Sequence, residues 1–186
     1  MNNASRRLMI INELWLMRQG VSLDQYSFKF EPVNLAVVAK KSYEKMRHLY
    51  GYTNSIDNIH VSSEVVPAIS DRHILSVALD AISDVIIQTS VSKDPAEIRV
   101  VRRNTQVHLE ILDRGPVVTS KDISNVFTNK AQSTKEISNF LGMTLLSARD
   151  LISSINGRIS ISKAGDKRSS IVRLPMAKQL ELIGGV

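Results

Sequence analysis

Three acidic residues stand where their side chains could do chemistry together. Asp80 and Asp84 are spaced i,i+4 in an apolar segment, so on a helix they share one face. Asp113 follows the alternating segment 107–112 and begins the turn-forming run DRGP, residues 113–116. Carboxylates in such positions can accept hydrogen bonds from an amino group or ligate a divalent cation.

A further piece follows in the run GMTL, residues 142–145, at the predicted start of a helix. Amide groups at a helix N terminus attract anions. Together the pieces could surround a nucleotide, with one carboxylate on an adenine amino group, the acidic helix face near a metal ion and helix amides near phosphate. Singly, each has a simpler explanation, namely a solvated helix face, a plain turn and a helix start. Their order and spacing favour the joint interpretation.

Composition excludes several other chemistries. The 186 residues contain no Cys, which rules out disulfides, cysteine-based zinc sites and thiol nucleophiles. The four His residues include no pair with ligand spacing on one helix, and no P-loop or GxSxG motif is present. No segment approaches the roughly 20 apolar residues that a membrane-spanning helix needs. We expect a cytoplasmic chain without a membrane segment.

The net charge of +6 raises the question of nucleic-acid binding. The longest basic clusters are the pairs Arg6-Arg7, Lys40-Lys41, Arg102-Arg103 and Lys167-Arg168. Proteins that bind phosphate backbones concentrate basic residues on one face and interleave aromatic residues, and neither feature is visible here. We interpret the pairs as solvated surface and expect no nucleic-acid partner.

Apolar periodicity predicts the elements that must position these residues. Helices are predicted at residues 5–19, 35–50 with Asn34 as cap, 72–89 with Asp71 as cap, 120–127 and 142–155 with an Asn156-Gly157 stop; strands are predicted at residues 26–30 and 56–65 and in the hairpins 97–101/106–112 and 158–162/170–174. This order predicts an α+β fold, a mixed and mostly antiparallel sheet with helices on one face. One domain, residues 22–186, follows a lead-in helix within residues 1–21.

The lead-in helix carries two apolar stripes. They consist of Leu8, Ile11 and Trp15 on one side and Ile10, Leu14 and Met17 on another. Such a helix must pack against the body of the domain, a second helix or a copy of itself. A plain core helix and a dimer contact are both compatible with this pattern.

Six segments, in this order and with these gaps, resemble a known family. They are FEPVNL (30–35), SVALDAISDVIIQTS (76–90), VHLEILDRGPVV (107–118), ISNVFTN (123–129), GMTLLSARDLISSINGRISI (142–161) and SSIVRLPM (169–176). The chain resembles the ATP-binding catalytic domain of sensor histidine kinases, in the GHKL (Bergerat) ATPase superfamily that includes DNA gyrase and heat-shock chaperones. The resemblance implies a two-layer α/β sandwich. Residues 6–20 resemble the second helix of the family's dimerisation hairpin, which favours a homodimer through the lead-in helix.

The resemblance also implies roles for individual residues, with ATP and Mg²⁺ as ligands. Asp113 would accept a hydrogen bond from the adenine amino group, and Gly115 would allow close backbone approach. Asp80 and Asp84 fall where the family has two Asn residues, one of which helps to hold Mg²⁺ beside the phosphates. The nucleotide site would also include Gly142 and Thr144, at the glycines of a GxG that faces the phosphates, with residues 128–141 as a lid entered at Phe127.

Several residues depart from the family pattern. Val117 and Thr144 replace glycines, and Ile87 stands where the family often has Lys. The carboxylates of Asp80 and Asp84, in place of amides, add repulsion toward a triphosphate. The lead-in helix also contains no His to serve as phosphoacceptor.

Two hypotheses follow. In the first, the chain is a working ATP-binding domain of a histidine kinase-like protein in two-component signalling, and a missing segment or another chain supplies the phosphoacceptor. In the second, it is a degenerate pseudo-ATPase that acts as a regulatory interaction module. A response regulator or a partner kinase chain is the expected partner in either case. The substitutions favour impaired catalysis.

Overall fold

The computed structural model describes residues 26–52, 59–61, 67–91, 94–116 and 139–177. The lead-in helix, the short helix at 120–127, Val117, Phe127 and nearly all of the lid segment lie outside the described residues. These features, and the division of the chain at residue 21, stay predictions.

The first described helix, α1 (Leu35–Leu49), begins at the predicted cap. The side chain of Asn34 accepts a hydrogen bond from the amide of Val37 at 3.2 Å, which satisfies one of the free amides of the first turn. One face of α1 is buried, through Leu35, Val38, Ala39, Tyr43 and Met46. The predicted helix is confirmed.

The central helix is α2 (Arg72–Thr89), which carries Asp80 and Asp84. Its cap, Asp71, accepts hydrogen bonds from the amides of His73 at 3.0 Å and Ile74 at 3.1 Å. Residues 77–86 of α2 are all buried, because the helix packs against α1 on one side and against α3 (Asn139–Ser154) on the other. Any polar group on this stretch must therefore find a partner inside the protein.

Five strands of the described residues form the main sheet, namely β2 (Ile59–Val61), β4 (Glu97–Arg103), β5 (Gln106–Asp113), β6 (Arg158–Ala164) and β7 (Lys167–Pro175). Their order across the sheet is β2-β4-β5-β7-β6. β2 pairs with β4 in parallel and all other pairs are antiparallel. Both predicted hairpins are present, with longer strands than predicted.

A second, two-stranded sheet pairs β1 (Phe30–Val33) with β3 (Ala68–Asp71). The prediction of a strand at residues 26–30 that ends before Pro32 is wrong, because β1 begins at Phe30 and runs through Pro32. Proline is tolerated here since β1 has a single neighbour strand, so its missing N–H can face away from the ladder. β3 was not predicted, because its few residues show no clear alternation.

Alternate residues of the main sheet face the helices and form the core. Val107, Leu109 and Ile111 of β5 are at most 1% exposed, and they are continued laterally by Ile98, Val100, Val172 and Leu174. The three helices of the described residues lie on this one face. The predicted α+β fold, a two-layer sandwich with a mixed and mostly antiparallel sheet, is confirmed.

Helix α3 ends as predicted and begins earlier. Asn156 adopts the left-handed conformation with φ 60°, and the amide of Gly157 donates to the carbonyl of Ile152 at 2.8 Å. Gly142 lies within the first turn of α3 rather than at its first residue. Among the described helices, none is long and apolar enough to cross a membrane.

Candidate nucleotide site

Asp113 lies at the end of β5, directly opposite Arg168 of β7 in the strand register. Both side chains project to the helix face of the sheet, because they continue the alternation of Leu109 and Ile111 on β5 and of Val172 on β7. Their side chains are 3% and 1% exposed. The pair is therefore part of the protein interior.

The guanidinium group of Arg168 engages both carboxylate oxygens of Asp113. Nε donates to Oδ2 at 2.9 Å and Nη2 donates to Oδ1 at 2.7 Å. Nη1 donates to the hydroxyl of Thr89 at 2.7 Å and to the carbonyl of Pro116 at 3.0 Å, and Nη2 reaches the carbonyl of Ile86 at 3.5 Å. Every N–H group of the guanidinium thus has an acceptor, the arrangement that a buried Arg requires.

Gly115 closes this cluster from the loop side. Its amide donates to Oδ1 of Asp113 at 2.6 Å. A Cβ atom at this position would lie 2.4 Å from both Cζ and Nη2 of Arg168, closer than nonbonded heavy atoms approach. The structure thus shows why residue 115 has no side chain: the Arg168 guanidinium takes the space that a Cβ would need.

Asp80 and Asp84 share the face of α2 that meets α1, and both carboxylates bond to the protein's own side chains. Lys45 donates to Oδ2 of Asp80 at 2.5 Å. Tyr50 donates to Oδ1 of Asp84 at 2.6 Å and Gln88 donates to Oδ2 of Asp84 at 2.6 Å. Asp84, which is 1% exposed, thus has both oxygens engaged.

Both oxygens of Asp84 accept hydrogen bonds in this arrangement, so Mg²⁺ would have to displace one of the two donors in order to bind. The ion requires near-ideal octahedral coordination by oxygen and usually keeps several of its waters, whereas the oxygens of Asp84 face Tyr50 and Gln88. Over the ranges that the structure describes, no group of three or more His, Cys, Asp or Glu residues could hold a metal ion. The metal assignment of Asp80 and Asp84 remains a sequence-based prediction.

Gly142 and Thr144 lie near the start of α3, and both are buried. α3 packs along α2, the helix that carries the acidic pair. The structure therefore places these two residues on the helix that the sequence indicated. Their predicted role beside the phosphates is not tested.

A pocket of about 420 Å³ opens beside Asp113, between the end of α2 and the ends of the central strands. It is lined by His60, Ser90, Asp94, Pro95, Glu97, Leu112, Asp113, Arg114 and Lys167. Within it, Glu97 accepts hydrogen bonds from Arg99 at 2.6 Å and from Lys167 at 3.2 Å. The hydrogen bond from Arg99, followed by that from Lys167, holds the pKa of Glu97 below its usual range although partial burial opposes this.

Sequence reasoning missed the partners of the acidic residues. The interpretation of Lys167-Arg168 as a solvated basic pair is wrong for Arg168, because this residue is 1% exposed. A signal existed, since alternation along β7 places residue 168 on the same side as Val172 and Leu174. Lys45 and Tyr50 gave no such signal.

Comparison with known proteins assigns the chain to a family. The family described as "Histidine kinase-, DNA gyrase B-, and HSP90-like ATPase" matches residues 70–178, more than half of the chain. The chain belongs to this ATPase family. The matched region contains α2, β4, β5, α3, β6 and β7, and so includes Asp113, Arg168 and the acidic pair of α2.

Solved structures of histidine kinases share the fold of this ATPase-family chain. The histidine kinase AdeS of Acinetobacter baumannii has 19% identity and a TM-score of 0.61, over 93% of this chain and 78% of that one. The mycobacterial sensor histidine kinase MprB has 20% identity and a TM-score of 0.56, over 80% of this chain and 98% of that one. Full-length ShkA, solved in complex with AMPPNP, has 14% identity and a TM-score of 0.63, over 91% of this chain and 35% of that one. No curated protein matches the sequence.

Proposed function

We propose that this chain is a sensor histidine kinase-like domain of two-component signalling that binds ATP weakly or not at all and acts as a regulatory interaction module. Its family and fold support the first part of this proposal. One observation carries the second part. Each of the three carboxylates to which the family resemblance gives a ligand is already bonded to a side chain of this chain.

Freeing Asp113 for an adenine amino group costs more free energy than freeing Asp84 for a metal ion. An adenine amino group would have to replace an ionic, bidentate and buried contact of Asp113 with Arg168. Separating a buried ion pair leaves an uncompensated charge and costs about 3–5 kcal/mol. A single hydrogen bond to a neutral donor returns only about 1 kcal/mol. The exchange is therefore unfavourable.

The metal side works in the same direction. Mg²⁺ near Asp84 would have to displace the hydroxyl of Tyr50 or the amide of Gln88. Without the ion, the carboxylates of Asp80 and Asp84 repel a triphosphate. Family members usually bind ATP together with Mg²⁺. We propose that this chain binds both of them more weakly.

Nucleotide titration of the full chain tests the proposal. A ligand that binds only the folded state raises its stability by RT ln(1 + [L]/Kd), or about 2.7 kcal/mol at a hundredfold excess over Kd. We expect no thermal shift with ADP or ATP at millimolar concentration, with or without Mg²⁺, and no heat of binding by calorimetry. GTP serves as the control for nonspecific effects of the triphosphate charge. A Kd below about 0.1 mM for either adenine nucleotide would establish the rival hypothesis of a working ATP-binding domain.

The interaction role has its own test at the lead-in helix, which lies outside the described residues. We expect the full chain to be a homodimer by light scattering. Trp15→Glu places a charge in an apolar stripe and should dissociate the homodimer. Glu13→Lys, which changes a charge on the side of the predicted helix away from Trp15, should not. A monomeric unmutated chain would contradict this part of the proposal. A response regulator or partner kinase chain would then be the remaining candidate partner.

A further inference from the structure

The guanidinium group of Arg168 lies in a slot whose walls consist of hydrogen-bond acceptors. Its five hydrogen-bond acceptors among the described residues are the two oxygens of Asp113, the hydroxyl of Thr89 and the carbonyls of Ile86 and Pro116. The Thr89 hydroxyl is available as an acceptor because its own proton goes to the carbonyl of Val85 at 2.7 Å. A group that enters this slot must therefore bring donors.

The slot is also flat. Gly115 lies so close to the guanidinium that a Cβ there would stand 2.4 Å from Cζ and Nη2. A planar group fits against this bare backbone, whereas a tetrahedral group such as an ammonium would leave part of the slot empty or meet the backbone. Shape and hydrogen bonding together select a planar group with amino donors along its edge.

We propose that Arg168 is the residue that excludes adenine nucleotides from this site, and that a short side chain at position 168 converts the slot into one that binds a 6-aminopurine. The inference deepens the proposed function and rests on it. The amino group of a 6-aminopurine supplies two donors in the plane of a flat ring, as Nη2 of Arg168 does toward Asp113 and Ile86. A 6-oxopurine presents an acceptor at the same place and would meet the carboxylate of Asp113.

Arg168 acts as a fixed occupant rather than a gate that opens by itself. It stands directly across from Asp113 in the β5–β7 register, so the backbone holds the pair together. The preceding residue is held as well, since Lys167 bonds to Glu97 at 3.2 Å. With all of its donors satisfied inside the protein, the guanidinium gains nothing by moving out to water.

The experiment compares ADP and GDP, without Mg²⁺, on the full unmutated chain and on Arg168→Ser. We expect Arg168→Ser to bind ADP at least about tenfold more tightly than the unmutated chain does, and more tightly than it binds GDP. Adding Asp113→Asn to Arg168→Ser should remove the gain. Arg168→Lys retains the charge, loses the planar fork and should not gain affinity.

The Ser variant leaves a buried carboxylate without its cation and can fail to fold, which circular dichroism will show. Arg168→Gln is then the deciding variant. Its shorter amide can donate to Oδ2 of Asp113 in place of Nε, while the space of Nη1 and Nη2 beside Oδ1 is vacated. A folded Ser or Gln variant with no ADP affinity at millimolar concentration overturns the inference, as does an equal gain for GDP. The unmutated chain tests the proposed function by itself, since tight ADP binding there would refute that proposal. The ratio of variant to unmutated chain tests only the role of Arg168.

Discussion

In two regions of the molecule a basic side chain pairs with a buried carboxylate, and the two contacts differ in strength. At the end of β5, Asp113 is held by a guanidinium that is 1% exposed and touches both of its oxygens. Between α1 and α2, Asp80 accepts a hydrogen bond from Lys45, whose side chain is 55% exposed. Protein encloses the contact of Arg168 with Asp113, whereas the side chain of Lys45 reaches Asp80 from the solvent side. The burial of the pair and the number of hydrogen bonds to the carboxylate, rather than the mere presence of an ion pair, decide how tightly a carboxylate is bound.

The largest expected effect comes from breaking the buried pair. Arg168→Met keeps most of the volume but leaves Asp113 buried without its cation, so we expect a loss of about 3–5 kcal/mol in the free energy of unfolding. Urea denaturation measures it. Replacing both partners, Arg168→Met with Asp113→Leu, removes the uncompensated charge and should recover most of the loss. A cost below about 1 kcal/mol for the single variant would place this pair with ordinary surface pairs.

The next effect tests the fit around the guanidinium. Gly115→Ala introduces a methyl group 2.4 Å from Cζ of Arg168, and we expect it to cost about 1–3 kcal/mol. In an Arg168→Ser background the cost should fall without vanishing, because the new Cβ also lies 2.7 Å from Oδ1 of Asp113. A double-mutant cycle in denaturant gives the coupling. Strict additivity would mean that Gly115 serves the backbone and not Arg168.

On the other side of the comparison, Tyr50→Phe removes the hydroxyl that bonds to Asp84. We expect a loss of about 1 kcal/mol, since Gln88 still donates to the second oxygen of the carboxylate. Tyr52→Phe is the matched control, because the Tyr52 ring keeps its contact over Arg47 at 4.8 Å. Thermal unfolding that shows equal losses for the two variants would remove the proposed importance of the Tyr50 hydroxyl.

The smallest effect is expected at Lys45. Lys45→Met should cost no more than about 1 kcal/mol, because water screens a half-exposed ammonium group. The difference from the unmutated chain should shrink further at about 1 M salt. Lys40→Met, which breaks the exposed pair of Lys40 with Glu44 at 3.7 Å, is the control. If Lys45→Met matched Arg168→Met in cost, the contrast between the two regions would be wrong.

Much of the fold was predictable, because its signals are local. Asn34 and Asp71 cap their helices as their side chains and the following apolar periods indicate. The hairpins were predicted from alternation on both sides of short polar turns, and Asn156 from its place after an apolar helix. The failures are equally instructive. β1 and β3 are strands through their pairing with each other, and neither strand is long enough to show that pairing in its own pattern.

The site divides in the same way. The positions of Asp80, Asp84 and Asp113 on a helix face and at a strand end follow from periodicity, and the family resemblance rests on the segments that contain them. Their partners do not follow. Arg168 lies 55 positions from Asp113 and Lys45 lies 35 from Asp80, so only the packed chain brings them within hydrogen-bond distance.

The sequence by itself thus determined the three described helices, the two hairpins and the positions of the three acidic residues on them, since these depend on neighbours within a few positions. The tertiary structure alone decided which groups those acids bind. Strand register set Arg168 opposite Asp113, and the bare backbone of Gly115 left room for the guanidinium. A buried charge pairs with the groups that packing places beside it, so the tertiary structure determines its partner.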